Sequence, residues 1–435
     1  MKILLVMPWE KGYKSYRDIF SKLNAYAPLT LPTLAGIIPK DMNIEVVACD
    51  EMIENVEKYY KNHYDIVMIA FITSSSLRAY KIAKEFKTRG SYIVFGGYHT
   101  TFMPEEAKEH GDTIIIGEAE VSIPIFLKDY LNKEPKGIYN YPDVKESDRK
   151  RPDRTVLKKH KYSGVPTIIA NKGCSNNCEF CAISRMSNQV PRCINDVIEE
   201  MKSLKKKLFI FFDPNFFGNR QYAINLMTEI AKLKVKWMGA ATINSAFDEE
   251  IMALAEKSGC IGLLVGIESM NKQSLDSVNK KFVDPNKCKE AISIMQKHGI
   301  SVNCCFVLGF DTDTEEELMS LPKQVEYLNL NFVRYFILTP GPNSSLFNRL
   351  EAEGRILTKD WSKYNQNEVV FTPKNMSKEK LEEIYKYVWK ESFRIGNIFR
   401  RARNMQNANL YKKFLIFTLN VGFKFVGTGE YKEAN

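Results

Sequence analysis

The stretch "GCSNNCEFCAIS", Gly173 to Ser184, places three of the chain's nine cysteines within eight positions, with no fourth cysteine or histidine beside them. Cys174, Cys178 and Cys181 have the spacing C-x3-C-x2-C. Structural zinc takes four ligands, commonly as paired knuckles, and the nearest histidine, His160, lies on the far side of the preceding strand pattern. A dithiol redox pair accounts for Cys178 and Cys181 but not for Cys174. Three thiolates can instead bind three irons of a 4Fe–4S cluster and leave the fourth iron open. The spacing favours the cluster, with zinc and a redox pair as the alternatives.

The motif sits just after an apolar strand, "VPTIIANKG", that opens an alternating pattern. Further strands are expected at "LFIFFD", "WMGAAT", "IGLLVGIES", "VNCCFVLGF" and "FVRYFIL". Helices are expected between them at 194–206, 221–234, 248–258, 285–298 and 314–328. Six strands and their helices over 165–340 fit a partial (β/α)6 barrel of the TIM type, with chemistry at the strand ends. An earlier alternation, "KILLVM", "IEVVAC", "DIVMIAF", "YIVFGG" and "DTIIIGE", fits a doubly wound, Rossmann-like domain over 1–131. Between the two, 132–164 is rich in charge, proline and tyrosine and reads as a linker. Residues 341–435 read as a mostly helical extension.

The 435 residues exceed what one core usually serves, so more than one domain is expected. No apolar run reaches the length of a membrane span, and "MKILLVMPWE" is too short for a signal peptide. The expectation is a cytoplasmic protein, whose clustered thiols serve metal or redox chemistry rather than disulfides. The net charge of +10 comes from 62 Lys and Arg against 52 Asp and Glu, mostly mixed in sign. It is not taken as a nucleic-acid footprint. Cys304 and Cys305 are adjacent on a strand and must point to opposite faces. They read as small core filler, as do Cys49, Cys260 and Cys288.

The motif resembles the cluster loop of the radical S-adenosylmethionine (SAM) superfamily, C-x3-C-x-aromatic-C, with Phe180 as the aromatic. "FFDPNFFGN", "VGIES" and "VLGFDTDT" are similar to the family's second-, fourth- and fifth-strand segments. The resemblance implies that SAM chelates the open iron and that the reduced cluster cleaves it to a 5′-deoxyadenosyl radical, with electrons from an external flavodoxin- or ferredoxin-type donor. It implies Asp213 and Asn215 near the methionine end of SAM, and Glu268 and Ser269 near its ribose. Each of these is also an ordinary strand-end or capping residue.

A doubly wound domain before such a barrel resembles the cobalamin-binding branch of the superfamily. "FGGYHTTFMPEEA" and "IIGEAE" carry that resemblance. It implies Gly96, Gly97, Gly117 and Glu118 at the cobalamin, with Thr73 and Ser74 toward its nucleotide tail. The D-x-H-x-x-G motif that brings histidine to cobalt is absent; His99 stands in "GGYHTT" without the Asp. Residues 338–377 resemble the extension of the subgroup that includes hopanoid methylases. The implied activity is methylation of an unactivated carbon of a lipid-like or natural-product substrate. A radical cyclase like the anaerobic tetrapyrrole cyclases is the rival, and a non-catalytic cobalamin or SAM sensor the alternative from another class. An RNA methylthiotransferase is disfavoured, because 1–150 contain only Cys49. The tail, 374–403 read as one helix and then "YKKFLIFTLNVGFKF", suits either packing on the barrel or contact with the inner membrane face.

Overall fold

The computed structural model describes residues 1–9, 26–158, 162–186, 189–404 and 410–427. His160 lies outside them. The chain forms two parallel six-stranded sheets. In the first, β1 (Lys2–Met7), β2 (Glu45–Asp50), β3 (Ile66–Ala70), β4 (Tyr92–Gly96), β5 (Thr113–Ile116) and β6 (Ile138–Asn140) lie in the order β2-β1-β3-β4-β5-β6. Alternate residues feed two cores: Leu4 and Val6 pack on one face, Ile3 and Leu5 on the other. Burial on both faces is why these strands read as unbroken apolar runs. The order reverses between β1 and β3, which opens a crevice at the carboxyl ends of the strands. The stretch read as a linker contributes β6, paired with β5 from Ile114↔Ile138 to Ile116↔Asn140. "GIYN" is too short to show a strand period, so only the pairing reveals it.

The second sheet joins β7 (Thr167–Ile168), β8 (Leu208–Phe211), β9 (Lys236–Ala241), β10 (Cys260–Glu268), β11 (Ser301–Leu308) and β12 (Phe332–Ile337) in chain order. β7 and β12 do not pair with each other, so the barrel is open. On β11, Val302, Cys304, Phe306 and Leu308 pack in the sheet–helix core, while Asn303, Cys305 and Val307 on the opposite face are half-buried. Cys49, Cys260 and Cys288 are buried, and Cys193 is exposed.

The tail departs from the single helix expected over 374–403. Helices run Lys378–Ser392 and Ile395–Arg403, broken at an extended Arg394. The break lets Phe393 stack on Trp389, with ring centroids 5.2 Å apart, while Ile398 enters the core. No helix among the described residues is long and apolar enough to cross a membrane.

Candidate active site

The cluster loop leaves β7 and is fixed at its root by Asp213. Its Oδ1 accepts the Ala170 N–H at 2.8 Å and its Oδ2 the Asn171 N–H at 2.8 Å. Both oxygens are engaged and the residue is buried, so Asp213 pins the loop rather than offering a free carboxylate to SAM. Burial pushes its carboxyl up to about 7, against the pull of those two N–H donors and Arg192. Asn215 is different: its Oδ1 is buried and has no partner. Asn171 Oδ1, at the root of the loop, is in the same condition. Buried amide oxygens without donors are costly, so two such acceptors beside the cluster loop fit a ligand bearing donor groups, as the amino end of SAM does. Asn171 has no counterpart in the motif, which is why the sequence did not single it out.

Within the loop, Cys178 is buried and Cys174 and Cys181 are half-buried. Burial pushes the Cys178 thiol up to about 11; the neighbouring Cys181 and Cys174 act in the same direction, and Lys280 opposes them. The three thiols therefore share one neighbourhood with a cation. Among the described residues no three His, Cys, Asp or Glu side chains converge on one metal ion. A 4Fe–4S cluster asks for something else, one thiolate per iron. Phe180 packs toward Phe310, 6.2 Å between ring centroids, and so ties the loop to the end of β11.

Glu268 ends β10 at a bulge, where the pairing with β11 slips between Gly266 and Glu268. Its φ of 70° is left-handed, uncommon for a residue with a side chain. This turn folds the carboxylate back over Gly266 onto Lys280, with Nζ–Oε1 2.8 Å and the two side chains 9% and 11% exposed. Bulges beside active sites re-aim side chains in this way. Lys280 is one of two adjacent lysines in a loop with no period around it, so nothing in the sequence marks it. The Ser269 hydroxyl accepts the Asn271 N–H at 3.0 Å, which makes it a turn-former first.

The first sheet presents its carboxyl edge to the same region. Gly97 has φ 100°, and a Cβ there would meet the Phe71 carbonyl at 2.6 Å. Its missing side chain therefore serves the packing of two strand-end loops rather than the approach of a ligand. A Cβ on Gly96 would only touch Ile115 at 3.7 Å. Gly117, at φ 74°, faces open space. Ile72, Leu77 and Tyr98 are exposed near this edge, Thr73 is half-buried, and Ser74 is buried. Open space over Gly117 beside exposed apolar groups leaves room for the flat face of a large macrocycle. The Tyr98 ring is partly exposed, but its hydroxyl end is sheltered, and this desolvation raises its pKa, with Cys181 and Glu118 adding to the shift. Tyr98 thus stands between the sheet edge and the cluster loop.

His99 is fully buried, with Nε2 3.1 Å from the Tyr80 hydroxyl and 3.2 Å from Glu106. It cannot reach out to a metal above the sheet edge. Glu118 is bound up as well: it and Glu120 share Arg149, and Lys172 reaches Glu120 at 2.5 Å and Glu118 at 3.4 Å. This buried ion cluster fastens the residue before Gly173 to the first sheet, and it draws Glu118 away from a ligand-binding role.

These features agree with the family comparisons. The Radical SAM superfamily matches residues 168–325, the B12 binding domain 24–127, and a domain of unknown function (DUF4070) 344–414. The chain belongs to the cobalamin-binding family of radical SAM enzymes; its cofactors are a 4Fe–4S cluster, SAM and cobalamin. The chain is 28% identical over 416 residues to bacteriochlorophyllide d C-12(1)-methyltransferase of Chlorobaculum tepidum, covering 92% of this chain and 89% of that protein. It is 27% identical to the anaerobic magnesium-protoporphyrin IX monomethyl ester cyclase of Rubrivivax gelatinosus, covering 82% and 72%. The fold matches the radical SAM methyltransferase TsrM from Kitasatospora setae, solved with cobalamin and a [4Fe-4S] cluster, with a TM-score of 0.70 at 14% identity, covering 97% of this chain and 99% of that one.

Proposed function

We propose that this enzyme methylates an unactivated carbon of a lipid-like or natural-product small molecule, using SAM and cobalamin. The observation that carries it is the end-to-end similarity to a bacteriochlorophyllide methyltransferase, through both cofactor domains and the extension. When bound, the cluster with SAM supplies one-electron chemistry and the cobalamin supplies methyl transfer. In this reading Cys174, Cys178 and Cys181 hold the cluster, and Asn215 and Asn171 accept from SAM. Lys280, steered by Glu268, sets a positive charge beside the thiolates. Tyr98, Ile72 and Gly117 shape the cobalamin side, with Thr73 toward the nucleotide tail. Electrons come from a flavodoxin- or ferredoxin-type donor.

The test is incubation of the reduced, reconstituted enzyme with trideuteromethyl-SAM and a small-molecule extract of its native cells. A product three deuterons heavier supports methylation. An unlabelled product with 5′-deoxyadenosine formed supports the cyclase reading, which the Rubrivivax relative motivates. A loaded cluster that never cleaves SAM under several reductants favours the sensor.

Contact with a membrane face is part of the same proposal. The last helix, Leu410–Gly427, packs Phe417, Val421 and Phe423 inward and leaves Leu410, Phe414, Leu415 and Leu419 exposed. From Phe393 to Gly429 the chain carries Arg and Lys but no Asp or Glu. An apolar stripe flanked by cations suits an anionic bilayer surface. Co-sedimentation with vesicles containing phosphatidylglycerol, and none with phosphatidylcholine alone, is the expected result; equal recovery with both lipids would sink it.

A further inference from the structure

The barrel anchors the cluster loop in part: Asp213 holds its root and Phe310 meets Phe180. Also from the barrel come a backbone bond from Glu179 N–H to Val278 O and the Asn279 amide on Asn177 O. A further, charged anchor comes from elsewhere. Glu179, between Cys178 and Cys181, turns outward to Arg349 in a two-pronged pair: Nε–Oε1 2.9 Å and Nη2–Oε2 3.2 Å. The same guanidinium gives Nη1 to Asp311 at 2.7 Å, and Arg355 gives Nη2 to the other Asp311 oxygen at 2.7 Å. Farther along the loop, Arg185 donates to the Asn343 carbonyl.

The extension also grips the first domain. Asn343 donates its amide to the Phe102 carbonyl, and Trp361 donates Nε1 to Glu106 at 2.9 Å. Trp361 packs with Phe347, Tyr364 and Val370 against Met103, and its ring lies 5.7 Å from that of His99. One segment, 343–372, therefore touches both the loop that bears the thiols and the domain that faces it.

We infer that this extension, most of it within the region matched only as a domain of unknown function, is a strap that positions the cluster loop against the cobalamin domain, with Arg349 as the positioning residue. Arg349 lies away from the thiols and acts through Glu179. The bidentate form matters because a planar guanidinium fixes the orientation of the carboxylate as well as its distance. A lysine supplies the charge without the fork. The inference rests on Cys174, Cys178 and Cys181 holding the cluster.

The test uses full-length, anaerobically reconstituted protein carrying Arg349→Met, Arg349→Lys, Glu179→Gln or Cys178→Ala. Iron per chain, the EPR spectrum of the reduced cluster and the rate of iron loss to bathophenanthroline are measured. Cobalamin binding and the melting temperature are read on the same samples. Arg349→Met and Glu179→Gln are expected to load iron but lose it about tenfold faster, the worth of a charge-assisted hydrogen bond. Cobalamin binding should stay at the wild-type level. Arg349→Lys should recover part of the loss, and a chain carrying both Arg349→Met and Glu179→Gln should be no worse than either single variant. Glu179→Gln cuts the bond from the loop side, so it decides the matter if Arg349→Met folds poorly. A wild-type rate and spectrum in Glu179→Gln, with Cys178→Ala empty of iron, would overturn the strap alone. Iron retained by Cys178→Ala would overturn the assignment of the thiols and the strap together.

Discussion

Gly266→Ala is expected to be among the most damaging single-methyl additions near the site. A Cβ at Gly266 would lie 2.2 Å from Glu268 Oε1 and 3.0 Å from Lys280 Nζ. No carbon approaches a carboxylate oxygen so closely, so the Glu268 carboxylate must shift; with little free space around it, the expected outcome is loss of its contact with Lys280. Both side chains are nine-tenths buried, and breaking such a pair costs about 3–5 kcal/mol. The low end applies here, because the barrel mouth lets water reach the freed groups. At about 2–4 °C per kcal/mol for a cooperative unit of this size, the melting temperature should fall by about 6–12 °C. Gly262→Ala, on the same strand, is the control. Its Cβ would meet Met238 Cγ at 3.4 Å, an ordinary contact, so less than about 1 kcal/mol is expected. Gly266→Ala combined with Glu268→Ala and Lys280→Met removes the clash and the orphaned charges, and should return to within about 2 kcal/mol of wild type. The assay is thermal unfolding of cofactor-free protein by circular dichroism. If Gly266→Ala melts together with Gly262→Ala, the pair does not hold the end of β10.

Ala at Cys174, Cys178 or Cys181 should each abolish iron loading and the reduced-cluster EPR signal, with cobalamin absorbance retained. Cys304→Ala should keep full iron and cost on the order of 1–2 kcal/mol as a small core cavity. His99→Ala should leave the spectrum of bound cobalamin unchanged, since the ring is buried against Tyr80 and Glu106; a spectral shift would show that it reaches the cobalt. Burial pushes Asp50 up to about 6, against a usual value near 3.9 for the unfolded chain. Between those values the folded chain keeps a proton that the unfolded chain releases, so this residue lowers stability as pH rises through the window. Asp50→Asn should therefore be more stable than wild type above pH 6, by at most about 3 kcal/mol, with the gain gone below about pH 4. An asparagine oxygen can still accept the Met52 N–H, and its amide can donate to the Tyr162 hydroxyl. Denaturant titrations at several pH values check the sign.

Much of the fold was legible because two-sided burial writes itself as apolar runs. All five strands expected in the first domain form, and the six of the barrel follow in chain order. The C-x3-C-x2-C spacing marks the proposed cluster loop for a similar reason: local chemistry needs local residues. Roles that depend on partners distant in the chain were not legible. Asp213 reads as a free strand-end carboxylate until Ala170 and Asn171 are seen donating to it. Glu118 reads as a ligand residue until Arg149 and Lys172 close on it. Lys280 and Arg349 carry no pattern at all; one meets Glu268 through a left-handed bulge, the other meets Glu179 across 170 residues. Periodicity and motif spacing reflect constraints within a single element, and so they determined the strands and the two-domain order and singled out the three thiols as candidates. A charge is assigned its task by whichever opposite charge the packing leaves within about 3 Å in a dry place, and only the tertiary structure decides that.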